Sequence, residues 1–275
     1  MRRMRWLLCG LAFIGAAQQA GAADLGESFL RGSSTVIDTN SGVTWDGAYF
    51  GAHFGGAASG TDFSGATRSL VAFLLRNTSI EDEGHVSGWT TLSKGDTTGI
   101  SYGGFAGYNM QWDQAVLGVE ANYNRTSLMM SANDTMRRLF STSDGYNNDV
   151  RVDAGSSIHI TDYGTLRMRG GWAAGNFMPY GFVGFALGRA DVTNSALTVE
   201  SGTSTTGKPP YAASHQTAVT QTGDFAYGFA TGLGVDYALM QNIFVRAEYE
   251  YVQFGQFNDL KTHIHTARIG GGLKF

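Results

Sequence analysis

Glu248 and Glu250 stand two positions apart, a spacing that puts both carboxylates on one face of a strand. Such a pair could serve as general acid and base. Arg246 shares that face, and Arg167 and Arg169 alternate in the same way in an earlier segment. Charge pairing is therefore the better explanation. The full set of alternating charges is Glu120, Arg167, Arg169, Arg246, Glu248, Glu250, Arg268 and Lys274. Enclosed together they must pair, because an isolated buried ion costs several kcal/mol. They form either a structural salt-bridge network or a gated ion path. The small strand number argued below favours the network.

His263 and His265 also share a face, and with His53, His85, His159 or His215 they could bind metal or haem. Without a placed third ligand they read as ordinary rim or loop histidines. No Ser–His–Asp set can be placed on one rim. Leu70-Val71-Ala72-Phe73-Leu74-Leu75 lies between Arg68 and Arg76. It is either a small packed cluster or a docking patch presented by Leu70, Phe73 and Leu74; both stay open. Gly103-Gly104 and Gly270-Gly271-Gly272 are strand positions that ease curvature, not phosphate loops.

Period-2 alternation in segments of about ten residues must position these side chains. It runs over Trp45–Ala57, Ile100–Trp112, Ala115–Ser127, Tyr163–Ala174, Met178–Val192, Phe225–Tyr237, Ile243–Phe254 and His263–Phe275. Phe225 to Tyr237 is the clearest: Phe225, Tyr227, Phe229, Leu233, Val235 and Tyr237 oppose only Ala, Gly and Asp. That makes eight antiparallel strands of an all-β barrel. The intervals alternate in length: 58–99, 128–162 and 193–224 are long, while Asp113-Gln114, Gly175-Asn176-Phe177 and Ala238–Asn242 are short. Long outer loops and short periplasmic turns are the arrangement of a transmembrane β-barrel in an outer membrane. Trp45, Trp112, Trp172, Tyr237 and Phe275 all fall beside a terminus or a short turn, which predicts an aromatic girdle at the periplasmic rim.

Arg2, Arg3 and Arg5, the apolar run Trp6 to Ala17 and Ala20-Gly21-Ala22 predict a signal peptide over 1–22, cleaved before Ala23. The run is too short for a spanning helix, which needs about 20 residues. Cys9, the only cysteine, leaves with it, so no disulfide or cysteine-held metal is expected. Residues 23–44 lack period and predict a flexible periplasmic lead segment, with the barrel over 45–275 and no further domain. Charged residues are only 15% of the chain, low for a soluble domain. Losing three arginines takes the net charge from -4 to -7 (-4 - 3), and an acidic chain without a basic cluster argues against nucleic acid.

The opening Trp45-Asp46-Gly47-Ala48-Tyr49-Phe50-Gly51 resembles the W-x-G-x-Y-x-G start of a small outer-membrane protein family common in alphaproteobacteria. Some of its members are called haemin-binding or porin-family proteins. Leu117-Gly118-Val119-Glu120, Thr165 to Gly171, Pro179-Tyr180, Gly232 to Tyr237, Arg246 to Tyr249 and Arg268 to Phe275 are similar to its later strands. The resemblance covers every strand but not the loops, and Leu70 to Leu75 is not part of its pattern. It implies the barrel fold and an outer-membrane address in a Gram-negative envelope, and it leaves function open.

The expectation is a non-enzymatic barrel contributing to envelope integrity and surface interactions. A narrow pore or haemin-uptake protein is the alternative, and a soluble periplasmic β-protein is the third. No cofactor is expected, haemin entering only with the uptake alternative, and no metal. The expected partners are outer-membrane lipid, the barrel assembly machinery acting on Phe275, and an unknown extracellular partner at the outer loops.

Overall fold

The computed structural model describes residues 43–255 and 260–275. The expected signal peptide, Cys9 and residues 23–42 of the lead segment lie outside the described residues, as do 256–259 of the last outer loop.

The alternating segments are strands: β1 Gly47–Asp62, β2 Lys94–Trp112, β3 Ala115–Ser141, β4 Tyr146–Trp172, β5 Phe177–Ser204, β6 Tyr211–Ala238, β7 Ile243–Phe254 and β8 Lys261–Lys274. Each pairs antiparallel with the next, and β1 pairs with β8, closing a barrel. Within the barrel, period 2 then sorts each strand into two environments. Leu117, Val119, Leu166, Met168, Val183, Phe185, Phe229 and Leu233 are exposed on the outside, while the alternate residues are buried within. Among the described residues no helix is long and apolar enough to cross a membrane.

The ends of the strands show why the chain turns where it does. Asp113 takes a positive φ of 51° and Gly175 one of 63° in the two tightest turns. Gly47 opens β1 at φ 111°, where a Cβ would meet the Phe275 carbonyl oxygen at 2.1 Å. That bend carries Trp45 under the barrel and into it. Trp45 is 2% exposed and sits edge-on to Phe244 at 6.2 Å. Its expected place in the outward girdle is thus corrected: it stoppers the lumen from below. Trp112, Trp172 and Phe275 are exposed at that rim, and Tyr237 is half-buried against Phe177.

Most of the expected outer loops are not loops. β3 and β4 run 27 residues each and β5 and β6 run 28, so the intervals 128–162 and 193–224 are largely strand. Register shifts occur at one level, between Arg125 and Leu128, Ile160 and Asp162, and Ala190 and Val192. At that level Arg125, Asp162 and Arg189 form an outward cross-strand row, with Tyr102 beside Arg125. Above it the outward residues turn polar, as at Ser131, Asn133, Ser157, Asp153, Thr193 and Ser195. The inward ones turn apolar, as at Met130, Ile158, Val152, Val192 and Ala196. Beneath the row the outside is built for lipid; above it, for water.

The described strands next to β3 and β6 stop near that level. β2 pairs with β3 only as far as Thr126, and β7 pairs with β6 only from Gly228 onward. The upper parts of β3, β4, β5 and β6 therefore stand as a four-stranded sheet. At about 3.3 Å per residue the fifteen residues Tyr146–Ile160 of β4 extend about 50 Å. The first outer loop folds onto the concave side of this sheet as α1 Arg68–Leu74, α2 Ser79–Gly84 and a 3-10 turn Val86–Gly88.

Candidate functional site

Seven of the eight charges expected inside meet in the middle of the barrel. Inward positions on β3, β4, β7 and β8 aim Glu120, Arg167, Arg169, Arg246, Glu248, Glu250 and Arg268 at one another, and each is 5% exposed or less. Arg167 is the hub. Its Nε donates to Glu120 Oε1 at 2.9 Å, and its Nη1 donates to Glu248 Oε1 and Glu250 Oε2, each at 2.9 Å. Arg268 donates to Glu248 Oε1 at 2.9 Å, Glu250 Oε2 at 3.0 Å and Asn124 Oδ1 at 2.6 Å. Arg246 reaches Glu120 Oε2 at 2.8 Å.

The eighth charge stands apart. Lys274 lies lower, with its ammonium 5.5 Å from the centre of the Trp45 ring. The carboxylate in its stead is Asp236 of β6, which takes Arg246 Nε at 2.7 Å and Nη2 at 2.9 Å, and Arg169 Nη2 at 2.7 Å. Sequence reasoning missed it, although it alternates inward on the segment noted as the clearest strand. It pairs directly across with Arg246. Four guanidiniums thus face four carboxylates, 4 - 4 = 0, within one set of ion pairs.

Tyrosines close the set. Tyr49 donates to Glu120 Oε2 at 2.7 Å and accepts from Arg169 Nη1 at 3.0 Å. Tyr180 donates to Glu248 Oε2 at 2.5 Å. Ring faces take what the carboxylates leave: Arg167 lies 4.1 Å from the Phe182 ring centre, Arg246 4.1 Å from Phe105 and Arg169 3.8 Å from Tyr180. Dense partners are what allow buried ions at all.

The ionic layer is sealed on both sides. Below lie Trp45, Tyr49, Phe105, Val116, Met178 and Phe244. Above lie Tyr163, Phe254, Ile264, Leu128, Ile160 and Phe63. The lumen is thus filled in layers from the periplasmic end to the outer rim. Chemically, the arrangement holds strands in register and fills the bore.

The histidines scatter. His53 is buried in the lumen against Phe105, His263 and His265 face outward near the outer rim, and His85 lies in the first loop. Among the described residues no group of three or more His, Cys, Asp or Glu could hold a metal ion. Of the candidate docking patch, Phe73 is exposed, while Leu70 and Leu74 are half-buried against the apolar cluster of Val71, Leu75, Val150 and Val152. One side of that stretch therefore packs as a cluster, and the other leaves Phe73 in the open.

The outer sheet carries its own ties. Thr78 caps α2, and Ser79 Oγ donates to Asp144 Oδ2 at 2.8 Å. The Ser143 amide at the β3–β4 tip donates to Glu83 Oε2 at 2.9 Å. The Thr142 hydroxyl and then that of Ser79 hold the Asp144 carboxyl below its ordinary range. Half-exposed His215 lies 3.3 Å from buried Glu200.

Residues 7–275 match the family described as "Outer membrane protein beta-barrel domain". The 31 kDa outer-membrane immunogenic protein of Brucella melitensis is 28% identical over 254 residues, 88% of each chain. The 25 kDa outer-membrane immunogenic protein of Brucella ovis is 30% identical over 173 residues, 63% of this chain and 62% of that one. This chain thus spans less than two thirds of the length of that relative. Among solved structures, Ail of Yersinia pestis is 15% identical over 84% of this chain and 99% of its own, at a TM-score of 0.30. A likeness of that size carries no argument about function.

Proposed function

Since the chain belongs to the outer membrane protein β-barrel family and resides in the outer membrane, we propose that it is a closed, non-enzymatic barrel that adds to envelope integrity and holds a surface sheet out for contacts. The observation that carries this reading is the filled lumen: a charge-balanced ionic layer lies between two apolar ones. An eight-stranded barrel encloses just enough room for its own side chains. A narrow pore would need the Arg167 hub and the rings of Phe105 and Phe182 to move together. Outer-membrane lipid is the partner of the outward apolar band.

The test is Arg167→Ala. It leaves Glu120, Glu248 and Glu250 short of a cation in a dry place, at a cost of about 3–5 kcal/mol. Urea unfolding in lipid vesicles should show that loss, while planar bilayers show no stepwise conductance in either form. Unchanged stability together with defined current steps would put a gated ion path in place of the plug.

A further inference from the structure

The two margins of the outer sheet are treated differently by the chain. Along β3 the first loop returns close by. The Thr91 amide donates to Asp134 at 2.9 Å, Trp89 stacks edge-on to Phe140 at 5.6 Å, and Arg138 lies 5.0 Å from the Trp89 ring. Charges also stand along that margin at Arg125, Arg137 and Arg138. Along β6, Tyr211–Ala226 pairs with β5 on one side and with no described strand on the other. The stretch 211–221 holds no proline, lysine, arginine or carboxylate. Those are among the devices that ordinarily keep a sheet edge from recruiting a strand; the Thr222-Gly223 bulge is another, and it lies just below this stretch.

Beside that bare margin runs a groove. It measures about 360 Å³ and lies between α1 and the concave face, lined by Leu70, Phe73, Asn194, Thr217, Val219 and Gln221. The register places Val219 opposite Asn194 and Thr217 opposite Ala196, so both point inward. Phe73 and Val219 remain 57% and 42% exposed beside it. On the other face of the same strand stand small polar or short residues, Ala212, Ser214, Gln216, Ala218 and Thr220. A strand laid along β6 would therefore meet, on one face, a mixed groove in which Leu70, Phe73 and Val219 sit among Asn194, Thr217 and Gln221, and an undemanding polar surface on the other.

We propose that the outer margin of β6, with the groove against α1, receives an extended segment of a partner polypeptide, which adds a fifth strand and seats alternate apolar side chains beside Leu70, Phe73 and Val219. Main-chain hydrogen bonds would supply affinity and the groove would select the side chains. A row of unmet N–H and C=O groups is complementary to another backbone and to little else. A second copy in the same membrane presents β6 running in the same direction, which gives the less stable parallel ladder, and an antiparallel β3 margin that its own first loop and arginines guard. A segment arriving from the medium can run antiparallel. This rests on the surface-contact reading above and names its site.

The experiment uses the full chain refolded in lipid nanodiscs. The probe is a set of seven-residue peptides alternating threonine with valine, leucine or phenylalanine. A matched set carries N-methyl groups at alternate amides, which removes the ladder while keeping the side chains. Hydrogen exchange followed by mass spectrometry should show slowed exchange over 211–226 with the plain set and none with the methylated set. Thr217→Lys, which puts a charge in the groove, should weaken binding roughly tenfold. Gln216→Lys on the opposite face should stay within about twofold. Heat-modifiable gel migration checks that both variants fold. Exchange over 211–226 that no peptide slows, or equal binding by the methylated set, overturns the proposal. Slowed exchange without peptide in discs holding two chains would make a second copy the occupant and overturn it too. Bilayer conductance bears on the plug alone, so the two readings fail separately.

Discussion

At the scale of single residues, burial and charge decide what each side chain can do. Asp236 is 1% exposed and holds two guanidiniums. Asp236→Ala should leave Arg169 and Arg246 short of an anion, with a loss of about 3–5 kcal/mol in a urea titration of the reconstituted barrel. Lys274→Ala, outside the network, should cost far less. Asp236 is legible in principle, since it alternates inward and faces Arg246, but among alanines and glycines it lacks the charged neighbour two positions away that marks Arg167 and Arg169 or Glu248 and Glu250. Trp45 was not legible, because the bend at Gly47 lies between it and the strand it precedes. Phe275 ends the last strand, exposed and stacked on Phe50 at 5.7 Å. As a proposed contact for the barrel assembly machinery, its deletion should lower the yield of membrane-inserted protein in cell fractions, while refolding into detergent is unchanged.

At the scale of elements, bulges explain where the pattern could and could not be followed. Thr161 is an extra residue on β4 between the Ile160 and Asp162 rungs, and Thr222-Gly223 intrude on β6 opposite Asp191, whose carboxylate accepts from the Gly223 amide at 2.7 Å. Each insertion flips which parity points inward. The sequence segments accordingly began at Tyr163 and Phe225, just past the flips. On β3 and β5 parity persists, but the outward residues change from apolar to polar, so a search for lipid-facing dyads stops there. The membrane part was thus readable and the outer sheet was not. Depth along β6 gives a direct check. Phe229→Arg, well inside the apolar band, should cost about 2–4 kcal/mol in lipid-vesicle unfolding, whereas Phe225→Arg, level with Arg189, should cost about 0–1 kcal/mol.

The latch between α2 and the β3–β4 tip belongs to the same scale. A carboxyl held below its ordinary range adds stability above that range and loses it as pH falls through the lowered value. Acidification from neutral pH to about pH 3 should therefore loosen α2, seen as faster amide exchange over Ser79–Gly84. Asp144→Asn should loosen it already at neutral pH and shrink the acid response. Identical exchange in the variant and the parent chain would remove Asp144 from the latch.

At the scale of the whole molecule, four strands run from the periplasmic turns through the barrel to the outer tips. Anything gripped by the outer sheet is joined to the membrane through them rather than through slack loops. Traction along the strands would load the rungs of each ladder side by side, in shear, instead of peeling them one after another. Bonds loaded together yield at higher force than bonds opened in turn. Where the cell is dragged by flow, such a projection would act as a stiff tether, and the grip at its margin would give way before its root.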